Sequence, residues 1–248
     1  PAVDGYDVKT TLNVEIQDIA EKAVLDMLHL QNTRPRGNAR TGVAIVMEVA
    51  TGDVKAMGNM SRAEDGNYYE LKNNALTDIL EPGSTFKTAS LLVALNDKKI
   101  SFNDSIDANK GLYRFGSATM KDHNAGKPNA YGMLSVPQVL MYSSNVGTAR
   151  LINENYKDNP EKFVEGLHRM GLATHFPLLP GTGRPVIRKP NANKSNWSAT
   201  ALPWMSIGYE TQIAPINIVS FYNAIANNGK FMKPRLVSAI LDDDRVVE

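Results

Sequence analysis

Glu81-Pro82-Gly83-Ser84-Thr85-Phe86-Lys87 opens an almost wholly apolar run, Thr88-Ala89-Ser90-Leu91-Leu92-Val93-Ala94-Leu95. Pro82 and Gly83 read as a helix entrance, and the run behind them as a helix buried all round. Residues three apart on a helix share a face, with Cβ atoms roughly 5–6 Å apart, so Ser84 and Lys87 are expected to meet. A free serine hydroxyl is a weak nucleophile and needs a neighbour that takes its proton. Lysine does so only when desolvation or nearby positive charge holds its amine neutral, a condition met at the start of a buried helix. The free N–H groups and positive dipole end of the helix also favour an oxyanion close to Ser84. Acyl transfer without a histidine is the chemistry such a pair offers. The bare tetrapeptide more often means a helix cap beside a lysine that reaches to solvent, so other motifs have to decide.

Tyr142-Ser143-Ser144-Asn145-Val146-Gly147 supplies the second motif. Upstream, Ser135-Val136-Pro137-Gln138 has the form of a capping box with proline in the first turn, which predicts a short helix Val136–Met141. Ser143 and Asn145 then fall where that helix meets the next, which begins near Val146. Alternate residues on such a turn can point to one side and present a hydroxyl and an amide to Ser84 and Lys87. Taken alone, Ser-x-Asn in a loop is ordinary turn chemistry.

In this order and spacing, the two motifs resemble the transpeptidase domain of penicillin-binding proteins. The resemblance covers nearly the whole chain. Asp4-Gly5-Tyr6-Asp7-Val8-Lys9-Thr10-Thr11-Leu12 and Ile16–Glu21 resemble the opening strand and first helix. Val43–Val49, Ala50-Thr51-Gly52-Asp53 and Val54–Met57 resemble the first hairpin. Ser206-Ile207-Gly208-Tyr209-Glu210, the Ala214-Pro215 helix, Ala226-Asn227-Asn228-Gly229 and Lys233–Val237 resemble the run before the family's third motif. The likeness is to the monofunctional class B type, and within it to the division enzymes of the Bacteroidetes.

The third motif itself, a Lys-Thr-Gly or Lys-Ser-Gly strand facing the serine, does not occur in these residues. Pro180-Gly181-Thr182-Gly183-Arg184 holds Thr-Gly without the lysine and reads as a turn in a proline-rich loop. The family places a second oxyanion N–H and a carboxylate clamp on that strand, and loss of one oxyanion donor costs about 100- to 1,000-fold in rate. The expectation is an acylation centre with an incomplete substrate site, and a sheet edge left unpaired.

Composition bounds the rest. A chain of 248 residues can bury a sizeable core as one domain or two packed lobes. A net charge of +1, with no basic stripe carrying interleaved aromatics, gives no reason to invoke nucleic acid. With no cysteine there is neither disulfide nor thiol catalysis, and four scattered histidines give no metal spacing; no metal or cofactor is expected. No apolar run reaches the ~18 residues that span a bilayer, and Pro1-Ala2-Val3-Asp4 is not a signal peptide.

The predicted architecture is a two-lobed α/β (α+β) domain of the penicillin-binding-protein and β-lactamase type. A sheet lobe spans about 1–77 and 205–248, and a mainly helical lobe about 78–204. A strand Val8–Leu12 leads, with Asn13 as cap, into a helix whose residues Ile16, Ile19, Ala20, Ala23, Val24, Met27 and Leu28 keep helical spacing and should cover one sheet face. Val43–Val49 and Val54–Met57 read as a buried antiparallel hairpin. A helix from about Pro215 to Asn227, ended by Gly229, precedes strands near Pro234–Leu241 and Val246.

Other residues invite a role and have plainer readings. Asp122-His123-Asn124 in a Gly- and Asn-rich loop reads as local hydrogen bonding rather than catalysis. Trp197 and Trp204 read as core packing before cleft wall, and Arg150 as a structural charge. The role of Glu210, where relatives often carry glycine, stays open.

What the resemblance implies is a serine D,D-transpeptidase that cross-links peptidoglycan in septal wall synthesis, with Ser84 as nucleophile, Lys87 as base, Ser143 as proton relay, and Asn145 holding Lys87 and the donor amide. Its substrates would be stem peptides ending in D-Ala-D-Ala, its inhibitors β-lactams, and its partners a membrane glycosyltransferase and divisome proteins. The domain would lie on the periplasmic side of the inner membrane, behind an anchor and pedestal. A penicillin-sensing receptor domain and a serine β-lactamase share the same chemical parts. The hairpin and the Asn227–Pro234 run favour the transpeptidase over both.

Overall fold

A computed structural model describes residues 5–191, 193, 196–242 and 245–247; the Pro1–Asp4 stretch lies outside them. The chain divides into two compact units. One comprises Pro1–Asp78, His175–Gly183 and Ala214–Glu248, the other Ile79–Thr174 and Arg184–Ile213.

The first unit is built on two three-stranded antiparallel sheets. In one, Val237–Asp242 lies between Asp7–Thr10 and Arg245–Val246; in the other, Val54–Arg62 lies between Thr41–Met47 and Tyr68–Tyr69. Asp53 and Arg235 join them through a parallel bridge. The Thr11 hydroxyl contacts the carbonyls of Val54 at 2.8 Å and Arg235 at 2.9 Å. The half-exposed Arg235 side chain reaches the buried Asp53 carboxylate at 2.6 Å and, as its hydrogen-bond donor, holds that group below the ordinary carboxylate range.

Helix Val14–Asn32 starts where the sequence marks it, with the Asn13 side chain accepting the Ile16 N–H. Its buried seam is narrower than expected. Ala20, Val24 and Leu28 are buried, whereas Ile19, Ala23 and Met27 are exposed. Two strand glycines explain the correction. A Cβ on Gly58 would sit 3.2 Å from the Glu21 backbone nitrogen, and one on Gly42 2.9 Å from Val24 Cγ1. The helix therefore lies nearly on the hairpin backbone, and only the row directly above the glycines is covered. The hairpin is also unequally buried: Val54–Arg62 is mostly buried, while Thr41–Met47 is largely half-buried. Helix Pro215–Ala226 ends as predicted, with Gly229 N–H closing on the Ala224 carbonyl at 2.7 Å.

The second unit packs Lys87–Asn96 against Asn145–Tyr156 and Pro160–Arg169. Phe86, Val93, Val146, Ile152, Tyr156, Phe163 and Leu167 form much of its core. The Tyr156 hydroxyl, buried beside Asp97 at 3.0 Å, is pushed well above the usual phenol range, mainly by desolvation. This region also carries three short antiparallel pairs that the helical reading did not contain: Ser105–Asp107 with Met133–Ser135, Leu112–Phe115 with Ala118–Lys121, and Val186–Ile187 with Thr211–Gln212.

Candidate active site

Ser84 lies in a 3₁₀ turn, Gly83–Phe86, and the α-helix begins only at Lys87. The α-helical entrance expected at Pro82-Gly83 is thus a tighter turn. In a 3₁₀ turn residues i and i+3 are eclipsed, and the Lys87 N–H donates to the Ser84 carbonyl. Ser84 and Lys87 consequently stack on one face while their exposure diverges: Ser84 is open to solvent and Lys87 is 1% exposed. The turn is fixed from both sides. Thr85 Oγ1 donates to the Pro82 carbonyl at 2.8 Å, and Gly83 N–H to the Gly208 carbonyl at 3.2 Å. Behind it, Ser90 Oγ donates to the Ser206 carbonyl at 2.8 Å, anchoring a helix that is buried except at half-buried Thr88, exposed Leu92 and its last residues.

The Lys87 amine donates to the main-chain carbonyl of Ser143 at 2.7 Å and to Ser143 Oγ at 2.9 Å. Among the described residues, no hydrogen bond joins it to Ser84 Oγ; catalytic hydrogen bonds often tighten only in the substrate complex. Desolvation lowers the Lys87 pKa from 10.5 to about 8, with the Asp122 charge opposing the fall. Far more of the amine is therefore neutral near neutral pH than at the ordinary value, roughly a tenth at pH 7, as a proton acceptor requires.

Ser143 presents both oxygens to Lys87 because its backbone is left-handed, φ 52°, a conformation a serine adopts only when its surroundings impose it. The capping box before it formed as read: Ser135 Oγ accepts from Gln138 N–H and Gln138 Oε1 from Ser135 N–H, and helix Val136–Met141 follows. After the turn, alternation holds. Ser143 faces Lys87, while buried Ser144 caps helix Asn145–Tyr156 by accepting the Gly147 N–H at 2.9 Å. Asn145 donates its amide to the Lys121 carbonyl at 2.8 Å; where Lys87 was expected to be held by Asn145, it donates to the two Ser143 oxygens.

Asp122, read from sequence as a local hydrogen-bonder, sits under this turn. It is 5% exposed, and it accepts Ser144 Oγ on Oδ2 at 2.8 Å and Val146 N–H on Oδ1 at 2.9 Å. Nothing in its spacing from Ser143 announces that partnership. His123 stands edge-on to Tyr131, which stacks on Tyr142 at 5.2 Å. Arg150 is structural, lying over the Tyr113 ring at 4.7 Å, donating to the Asp107 carbonyl and pairing with Glu154. Trp204 packs edge-on against Phe115, whereas Trp197 lines a cleft of about 430 Å³ with Tyr113, Arg114, Asn153 and Lys157, a cleft that includes none of the four site residues. Glu210 has φ 59° and donates its N–H to Glu81 Oε1 at 3.0 Å, so a glycine at this position would relieve a left-handed backbone. Thr182 closes the Leu179–Thr182 turn on the Leu179 carbonyl and takes no part in the site.

Residues 42–248 match the penicillin binding protein transpeptidase domain. The chain belongs to that family. It is similar to the probable peptidoglycan D,D-transpeptidase PenA of Neisseria gonorrhoeae, 25% identical over 232 residues, which are 91% of this chain and 36% of that protein. It is also similar to the peptidoglycan D,D-transpeptidase FtsI homolog of Chlorokybus atmophyticus, 28% identical over 253 residues, 96% of this chain and 35% of that one. The class B type expected from sequence fits these relatives. Penicillin binding protein 3 of Mycobacterium tuberculosis, in a crystal structure complexed with aztreonam, superposes with a TM-score of 0.80 at 25% identity, covering 98% of this chain and 52% of that one. The chain spans about a third of the length of these curated relatives. Penicillin-binding transpeptidase domains are thus what both its sequence and its fold resemble.

Proposed function

We propose that this domain carries the acyl-transfer centre of a peptidoglycan D,D-transpeptidase, with Ser84 as nucleophile. One observation supports it most directly: a lysine amine almost fully buried, held on Ser143, one 3₁₀ turn from an exposed serine. The neutral Lys87 amine takes the Ser84 proton as Ser84 Oγ bonds to the penultimate D-Ala carbonyl carbon. The oxyanion collapses, the C–N bond to the terminal D-Ala breaks, and the leaving amine receives its proton from Lys87 through the Ser143 hydroxyl. An amine of a second stem peptide then attacks the ester, its proton returns through the same groups, and Ser84 regains its hydrogen. Asn145, fixed on the Lys121 carbonyl, borders this path and offers its remaining amide oxygen to the donor peptide. β-Lactams would enter as acyl donors and stay as the Ser84 ester.

Intact-mass measurement of the full-length protein after incubation with a fluorescent penicillin tests this. One adduct is expected on the native protein and none on Ser84→Ala; equal labelling of both would remove Ser84 from the chemistry.

We further infer that the parent protein lies at the inner membrane with this domain on its periplasmic side, working with a glycosyltransferase and division proteins. The absence of cysteine and the peptidoglycan-directed names of the relatives support this. Protease accessibility in spheroplasts is the check, since a domain protected until the membrane is lysed lies on the other side.

A further inference from the structure

The loop before the Ser143 turn does more than connect it. Asp122 follows strand Ala118–Lys121, and its own N–H is fixed on the Gly111 carbonyl at 2.9 Å. Both carboxylate oxygens are committed, one to the Ser144 hydroxyl and one to the Val146 N–H, while the neighbouring Lys121 carbonyl takes the Asn145 amide. Residues 144, 145 and 146 are thereby tied to residues 121 and 122, and the residue just before them is the left-handed Ser143 that holds Lys87. A left-handed serine persists only when the surroundings over-determine it. These three bonds supply the surroundings on one side, and the main-chain bonds of Ser143 to Leu140 and of Ser144 to Val139 supply them on the other.

The second link is charge. The turn and helix that carry Ser84 and Lys87 hold no other ionisable group. Helix Val136–Met141 holds none. On helix Asn145–Tyr156, Arg150 and Glu154 are paired with each other and Tyr156 bonds Asp97; on helix Pro160–Arg169, Lys162 and Arg169 lie by Asp97, His168 by the Ile187 carbonyl, Glu161 is half-buried and Glu165 is exposed. Lys121 and His123 flank Asp122, and Asp122 is the group whose field acts on the Lys87 amine. A buried carboxylate facing a desolvated amine favours the ammonium form.

We propose that Asp122 is a positioning residue for the Ser84 reaction, its carboxylate locking the Ser143 turn in place and its charge favouring the ammonium that forms when Lys87 takes the Ser84 proton. This rests on the acyl-transfer reading above and adds a residue to it. Without the lock, Ser143 relaxes from its left-handed backbone and Lys87 loses both acceptors. Without the charge, Lys87 is neutral at lower pH but is a weaker base, so the Ser84 proton moves to it with less driving force.

The test is the rate of penicillin acylation from pH 6 to 10 in the full-length protein, compared among native, Asp122→Asn and Ser144→Ala forms, each checked for a cooperative melt. In the native protein the rate rises as Lys87 loses its proton. Asp122→Asn should move that rise to lower pH by about one unit and lower the plateau about tenfold or more. Ser144→Ala removes the bond to Asp122 together with the Gly147 cap and keeps the charge, so its plateau falls while the rise stays in place. An unmoved rise in Asp122→Asn, or a native-like plateau in Ser144→Ala, overturns the proposal. Should Asp122→Asn fail to fold, Ser144→Ala decides by its plateau. A native protein that never acylates would sink the acyl-transfer reading instead, a result distinct from either of these.

Discussion

Lys87 is stable only in the sense that the rest of the protein pays for it. Its folded pKa of about 8 lies below the 10.5 of the unfolded chain, so between those values the native state has released a proton that the unfolded state retains. Stability therefore climbs as pH rises through that window, and below it the buried ammonium carries its full penalty, roughly 3 kcal/mol as an upper bound from the size of the shift. Lys87→Met fills the same space without the charge. At pH 7 it should melt above the native protein, by an amount equivalent to about 1–3 kcal/mol, with the advantage shrinking between pH 8 and 10, and it should not label with penicillin. Thermal scans across that range check the sign, and an advantage that grows with pH would show that burial of the charge is not the cost. Ser84 and Lys87 were legible as a pair because their spacing is local and their chemistry is unusual, and Ser143, 56 residues beyond Lys87, because it stands in a second motif. Asp122 was not, because a carboxylate 22 residues from its hydroxyl partner leaves no periodic mark in a loop rich in Gly and Asn.

At the scale of elements, the 3₁₀ turn bearing Ser84 depends on Gly208. That residue has φ 85°, and a Cβ there would fall 2.1 Å from the Gly83 carbonyl oxygen and 2.7 Å from the Gly83 nitrogen. No flexible side-chain end is available to yield. Gly208→Ala should destabilise the protein by about 1–3 kcal/mol and slow acylation at least tenfold by shifting Ser84 against Lys87. Denaturant titration and labelling kinetics measure the two effects, and a variant with native values in both would mean that the turn is not held from behind. Element boundaries set by local rules were readable in advance: the Asn13 cap, the Ser135–Gln138 box, and the Gly229 stop. The burial of helix Val14–Asn32 was not, since apolar spacing reports which residues can be covered. How close the partner backbone comes depends on Gly42 and Gly58, which lie in another element. The three short strand pairs of the second unit were missed for a related reason, being too brief for alternation to show.

For the whole molecule, the recurring plan was visible because two motifs, a hairpin and a terminal helix fall in one order, and family resemblance turns that order into an architecture. The connectivity within it carries a consequence for how the protein is made. Asp7–Thr10 pairs with Val237–Asp242, so this strand leaves the ribosome more than 200 residues ahead of its partner. Residues 79–174 and 184–213 complete their own unit well before then. During that interval helix Val14–Asn32 can already lie on its hairpin, while the strand ahead of it remains without a neighbour. Vectorial synthesis thus completes the chemistry-bearing unit before the sheet that holds Asp7–Thr10 can close, leaving that nascent strand unpaired until its distant partner emerges.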